Sequence, residues 1–562
     1  VNDVNELVLR DLQSVAPLVI LIGTGIFALL LDLGGADAAR RRALVAPLCF
    51  LGLIAAIAAA MNAALPAMQM VHKLLPADTK PPAYFGDSIV EDPFAALLQI
   101  ALCVVAMLSI GMAGDYLRAR RLPVGEFHAL ILFATSGAML MVQAVDLINV
   151  FVGLEVLSVS LYILAGYTRR DLRSEESAVK YFLLGAFASG FLLYGIALLY
   201  GAIGLSVTRF GMGEDSVRSF TNIYVMGEAI RNSQLTDHPT AASPLFIAGI
   251  ALIIVGLGFK ASIVPFHSYA PDVYEGAPAP VSAFMSAAAK IGALAALVRI
   301  LQPLTIVADQ AATIVNILWG LAAATMLVGN ILAVRQRAVK RMLAYSSIAH
   351  AGYLLSGVVA TCLPGGSGLA SDAIVFYLFA YAFMNVGSFA VVVWLGRDGG
   401  ERLQIAEFSG LGRRDPVAGV VLTVLLLSLA GIPLTAGFLA KVYLFLGVIQ
   451  SQLVGLAALG LIASVIGIFY YFRLAVAIWF GEPAFDDSAP VQGGGAKTVA
   501  IVCAVATLVF GVVPAGMVSP DTTPTFAEVA PEKNPFLQDR VDARRKVLQE
   551  RERAGGSGRP EP

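Results

Sequence analysis

Long apolar runs separated by short polar connections recur along the chain as far as residue 517. Each is near the ~20 residues that a helix needs to cross a bilayer. The runs lie at 15–33, 43–65, 93–114, 127–145, 147–168, 178–204, 244–264, 278–302, 311–333, 341–362, 371–395, 417–448, 453–480 and 496–517. A helix satisfies its own backbone hydrogen bonds in an apolar medium, so the pattern predicts an all-α polytopic membrane protein with about fourteen transmembrane helices. The leader VNDVNELVLRDLQ has neither the basic start nor the small-residue cleavage site of a secretory signal, and the first span is expected to stay.

The polar connections differ in charge. Arg40, Arg41 and Arg42 lie in the first, Arg118, Arg120 and Arg121 in the third, and Arg169, Arg170 and Arg173 in the fifth. The ninth holds Arg335, Arg337, Lys340 and Arg341, and the eleventh holds Arg397, Arg402, Arg413 and Arg414. Even-numbered connections hold few basic residues, so the odd ones are expected on the cytoplasmic side of a bacterial inner membrane. An even number of spans then puts both termini on the outer, periplasmic face, with the polar insertion 206–243.

Composition agrees with the periodicity. Hydrophobic residues make up 58% and charged residues 14%, with a mean hydropathy of +0.79, which excludes a soluble globular protein. A formal net charge of -1 supplies no basic surface for nucleic acid. Cys49, Cys103, Cys362 and Cys503 sit far apart inside apolar runs, as core packing would place them and unlike a metal or cluster motif.

The informative residues are charges inside spans. Residues 256–292 read GLGFKASIVPFHSYAPDVYEGAPAPVSAFMSAAAKIG: an apolar helix arrives with Lys260, meets Pro265 and His267, and a second apolar helix leaves with Lys290. A charge at the centre of a spanning helix costs roughly 2.5–3.5 kcal/mol even on the insertion scale, so such residues mark an ion path. Glu155 lies midway along the fifth run, with Ser158 and Tyr162 on its helical face at i+3 and i+7. Lys180 starts the sixth run, His350 follows Ser346 by one turn, and Lys441 lies in LAGIPLTAGFLAKVYLF with its own breaker, Pro433. Broken helices persist in membranes mainly where they line a polar cavity. Two broken, lysine-bearing helices five spans apart suit two five-helix units of inverted topology.

Plainer readings stand beside these. Arg299, Arg473 and Lys180, near span ends, are expected to snorkel to the headgroups as anchors, with Lys180 also a relay candidate. His350 reads either as a hydrogen-bonded core histidine or as a proton relay, and His267 either as a turn-stabilising group or as a relay. For Glu155, Lys260, Lys290 and Lys441 the plainer reading is a static buried salt bridge, but one acid for three lysines leaves charge unpaired. Gly23, Gly25 and Ala28 imitate a dinucleotide fingerprint without its strand or acidic residue and belong to helix packing.

The segment GFKASIVPFHSYAPDVYEGAPAPVSAFMSAAAK resembles the signature of the antiporter-like membrane subunits of respiratory complex I, the proton-translocating NADH:quinone oxidoreductase. FVGLEVLSVSLYILAGY, ESAVKYFLLGAFASGFLLYG, VKRMLAYSSIAHAGYLLSG and LAGIPLTAGFLAKVYLF extend the resemblance over roughly 92–481. Within the family, the lysines of SAAAK and GFLAK favour subunit N over its sisters L and M. The resemblance implies fourteen helices. Helices 1–3 would fill 1–126, one repeat 127–302 and a second 311–480, followed by a last helix at 496–517 and a charged tail at 518–562. The insertion and the tail are longer than the family pattern requires. It also implies that Glu155 and Lys260 form a coupled acid and base, Lys290 the central relay and Lys441 the relay of the second half, with His350 between the last two.

Burial moves a lysine's proton affinity toward the neutral range and a nearby carboxylate moves it back, so shifting the carboxylate loads or releases a proton. No cofactor is expected in this chain; FMN, iron–sulfur clusters and quinone are expected in partner subunits. Other complex I membrane subunits and the lipid bilayer are the expected partners. A sodium/proton antiporter subunit and a structural scaffold, whose charges only fix helix register, are the alternatives.

Overall fold

The computed structural model describes residues 2–33, 38–72, 83–85, 87–169, 171–209, 220–233, 240, 243–305, 311–363, 368–396, 400–482 and 494–513. The tail 518–562 lies outside the described residues, as do Arg170, Arg397 and much of the insertion 206–243.

The described residues are helical nearly throughout. The chain opens with α1 (Asn2–Asp32) and α2 (Ala38–His72), followed by a two-stranded antiparallel hairpin, β1 (Ala83–Tyr84) and β2 (Ile89–Val90). Next come α3 (Pro93–Arg120), α4 (Gly125–Gln143), α5 (Leu147–Ala165), α6 (Leu172–Arg209) and the short α7 (Ile223–Ser233) inside the insertion. Then follow α8 (Pro244–Ala261), α9 (Ala270–Gly276), α10 (Ala279–Thr305), α11 (Ala311–Val334), α12 (Val339–Thr361) and α13 (Gly368–Trp394). A single turn, α14 (Leu411–Arg414), precedes α15 (Pro416–Ala430), α16 (Ala436–Gln450), α17 (Val454–Phe480) and α18 (Gly495–Val512).

Among the described residues, thirteen helices are long and apolar enough to cross a membrane, and the shorter apolar α15 and α16 lie either side of a break. The expected spans agree within a few residues, except that the twelfth divides. The sixth helix begins eight residues before Lys180, which therefore sits in its third turn.

Local chemistry sets the helix ends. Asp92 caps α3 by accepting from the Ala95 amide at 2.7 Å, with Pro93 in the first turn, and Asp146 and Asp415 cap α5 and α15 in the same way. Ser262 (φ 62) ends α8 and Gly431 (φ 86) ends α15, each in the left-handed conformation that stops a helix. Pro265 and Pro433 follow these stops and prevent resumption.

Burial orders the bundle. The most apolar stretches of α10 and α13 are 100% buried and that of α12 is 94%, whereas those of α1, α2, α6 and α18 are only 33% buried. The chain thus wraps α10, α12 and α13 inside a ring of helices whose outward faces are apolar.

The basic connections gather at one end, here the arginine-rich end. Tyr167 there donates to the Pro123 carbonyl at 2.8 Å, and the Lys340 amine pairs with Glu401 at 2.7 Å. The opposite end carries the β hairpin, where Ile89 bridges to Ala144 and Asp146 to Asn222.

Arg299 does not snorkel. Arg299 is fully buried; its guanidinium pairs with Asp92 at 2.7 Å and donates to the Val142 carbonyl, because a carboxylate and an orphan helix-end carbonyl compensate its charge where headgroups cannot reach. Arg473 donates to the Val334 carbonyl at 2.6 Å and to that of Gln336, closing the end of α11.

Candidate functional site

The two breaks and the three central helices place a row of polar side chains through the interior. Lys260, in the last turn of α8, is 2% exposed. Its amine donates to the Ser158 hydroxyl of α5 at 2.8 Å and the Tyr181 hydroxyl of α6 at 3.1 Å. It also lies 5.5 Å from the Tyr162 ring centroid and 5.0 Å from that of Tyr181. Ser158 and Tyr162, the two residues that share the Glu155 face, are thus both at Lys260. Glu155 is near enough to act on Lys260 through its charge, yet no ion pair joins the two among the described residues, and one Glu155 oxygen is buried without a partner.

Beyond the α8 break the row continues through tyrosines. Tyr269 stacks on Tyr181 at 5.2 Å, donates to the Phe259 carbonyl at 2.9 Å and shares a hydrogen bond with Ser262. Tyr274 of α9 faces Lys290, whose amine is 5.9 Å from its ring centroid. Lys290 is 1% exposed on α10; its amine donates to the Ser347 hydroxyl of α12 and, at 3.4 Å, to the Ser286 carbonyl. Tyr381 of α13 donates to the same Ser347 at 2.8 Å.

One turn along α12, His350 is held between two hydroxyls, Nδ1 to Tyr377 at 2.8 Å and Nε2 to Tyr471 at 3.3 Å, while Ser346 bonds Tyr471. Lys441 and Lys290 are both near enough to act on His350 through their charge. Lys441 of α16 donates to the Ser464 hydroxyl of α17 at 2.7 Å, and Tyr353 offers its ring face at 5.3 Å. The break after α15 leaves the Leu429 and Ala430 carbonyls free, and Lys441 donates to both, at 3.1 and 2.9 Å. A cation at the carbonyl end of a helix is favoured by the aligned peptide dipoles.

All three lysines thus meet the same surroundings, a serine hydroxyl and a tyrosine face, with no carboxylate in ion-pair range among the described residues. A hydroxyl can donate as well as accept, so an amine that loses a proton still finds a partner.

Two expected relay residues lie off the row. His267 occupies the loop between α8 and α9, half-buried, with Nδ1 unpartnered. Lys180 pairs with Glu176 at 2.6 Å and Asp272 at 2.8 Å, and Asp272 also pairs with Arg341 of α12 at 2.9 Å.

Ser347, Ser464, Tyr181, Tyr377, Tyr381 and Tyr471 were not singled out from the sequence. The available signal was their occurrence in predominantly apolar runs, where a buried hydroxyl needs a partner.

The profile of a family described as NADH:quinone oxidoreductase/Mrp antiporter, TM, matches residues 144–467, more than half of the chain and including Glu155, the three lysines and His350. The chain belongs to this family. Curated members similar to it include NADH-quinone oxidoreductase subunit N of Trichlorobacter lovleyi, 41% identical over 437 residues, covering 76% of this chain and 83% of that protein. Subunit N 1 of Herpetosiphon aurantiacus is 40% identical over 432 residues, covering 76% and 83%. Among solved structures of similar fold, a chain of respiratory complex I from Thermus thermophilus with bound aureothin superposes with a TM-score of 0.69 at 29% identity, over 90% of this chain and 99% of that one. A chain of the archaeal membrane-bound sulfane sulfur reductase superposes with a TM-score of 0.74 at 27% identity, over 92% and 98%.

Proposed function

We propose that this protein is subunit N of an NADH:quinone oxidoreductase, a membrane subunit that moves protons while quinone is reduced elsewhere in the complex. The observation that carries this reading is the row itself: three buried lysines and a histidine, joined by hydroxyls and aromatic faces, in a chain similar along most of its length to curated N subunits. FMN, iron–sulfur clusters and quinone belong to partner subunits, and other membrane subunits of the complex pack on the apolar outer ring.

Glu155 tunes Lys260. Moving a carboxylate toward a buried amine tightens its hold on a proton, and withdrawing it loosens that hold. Lys260 passes its proton by way of the tyrosines around the α8 break to Lys290, then His350 and Lys441. Along the chain from Lys260 toward the arginine-rich end come His267 and then Asp272, which holds Lys180; these supply Lys260. The two broken helices divide the bundle into inverted halves, 127–302 and 311–480. Each proton moved against 100 mV costs ~2.3 kcal/mol, a load within reach of a few rearranging buried ion pairs.

The test is Lys290→Met in the assembled complex, reconstituted in vesicles, with NADH oxidation and proton uptake measured together. Assembly should persist while pumping falls by about tenfold or more. Normal pumping would remove Lys290 from the path. Co-purification of flavin and iron–sulfur subunits separates this reading from a stand-alone antiporter.

A further inference from the structure

A second buried polar cluster lies outside the lysine row, at the hairpin end. Its centre is Glu91, just before α3, fully buried with neither carboxyl oxygen hydrogen-bonded. The neighbouring Asp92 is fully occupied. One oxygen caps α3 through the Ala95 amide and accepts from Arg299 at 2.7 Å, and the other accepts from Arg299 at 3.1 Å. The Arg299 Nε–H donates to the Val142 carbonyl. None of these bonds reaches Glu91.

The orphan groups around it are complementary. Gln99 of α3 donates to Gln143 of α4 at 2.7 Å, which leaves the Gln99 oxygen without a donor and the Gln143 nitrogen without an acceptor. An ionised Glu91 would add two unmet acceptors to that set, at the desolvation cost of an uncompensated charge. A protonated Glu91 has a hydroxyl to give to Gln99. One proton gives the Gln99 oxygen the hydrogen it lacks.

We propose that Glu91 is a proton-binding site at the hairpin end, separate from the lysine row. It holds a proton in this conformation and releases it to water when Arg299, keeping Asp92, shifts so that its further N–H groups face Glu91. The proton leaves, and the guanidinium becomes the carboxylate's counter-charge. The titratable and charged groups facing Glu91 are Asp92 beside it and Arg299 of α10; Tyr224 of α7 and Asp87 of the hairpin belong to the same cluster. Burial, then the Asp92 charge, pushes Glu91 up to about 8, against the nearby Gln99 amide and the Arg299 charge. Burial pushes Tyr224 up to about 12, which keeps it neutral. Arg299 lies nine residues from Lys290 on α10, ~14 Å along the axis, so a shift of its end reaches the row through a rigid helix.

The proposal rests on the reading of this chain as a proton-translocating subunit, and E91Q, which mimics the protonated acid, tests it in the whole complex. Infrared difference spectra of wild type against E91Q should show a protonated-carboxyl band that is lost in the variant and titrates away in wild type near pH 8. Protons pumped per NADH should fall by about twofold or more while NADH oxidation persists. Absence of that band in wild type at about pH 6 would show Glu91 ionised and overturn the proposal. So would normal pumping by E91Q; if Lys290→Met still abolished pumping, the general reading would stand and only Glu91 would fall.

Discussion

Glu155 and Lys260 are close, but Ser158 holds the Lys260 amine in this conformation and one oxygen of Glu155 waits unpartnered. If carboxylate and amine act on one step, damage to either removes that step. Glu155→Gln and Lys260→Met should each impair pumping, and the double replacement should cost little more than one of them. Proton uptake by reconstituted complexes carrying each change decides the matter. Losses that multiply would make Glu155 a separate structural group. Removing only the hydroxyl, by Ser158→Ala, should have a smaller effect of about threefold to tenfold, because Tyr181 still accepts from Lys260. Pumping as poor as that of Lys260→Met would instead make Ser158 indispensable to the transfer.

The break between α15 and α16 opens at Gly431. Gly431 has φ +86, and a Cβ there would lie 3.0 Å from the Lys441 Cδ and 3.2 Å from its amine. Gly431→Ala should therefore cost about 1–3 kcal/mol of backbone strain and push Lys441 off the Leu429 and Ala430 carbonyls. Pumping should suffer before assembly does. Gly455→Ala, with open space around it, is the control and should be neutral. Both breaks were legible in the sequence, because Pro265 and Pro433 interrupt apolar runs. The partners of the row were not. Helical periodicity gives a residue's depth and face but not which helix comes to meet it, so Ser464 beside Lys441 and Ser347 beside Lys290 emerge only from packing. Arg299 failed for the same reason: its position near a span end suggested headgroups, while its carboxylate, Asp92, stands 207 residues away.

Across the whole molecule, gathering the basic connections at one end predicts orientation. The four native cysteines are buried, so introduced ones report alone. Cysteines replacing the exposed Ala119 and Arg413 should react with an impermeant thiol reagent only from the cytoplasmic side, and one replacing Phe85, 44% exposed, only from outside. Labelling of position 119 from outside would invert the assignment. The serines and tyrosines that hold the three lysines carry a consequence for thermodynamics. A chain of groups that each give or take a hydrogen has no rectifier, so nothing along its middle favours one flow over the other. Which way protons run is then fixed at the ends and by the driving reaction, and a sufficiently large opposing gradient should force the machine backwards, drawing electrons from quinol toward NAD.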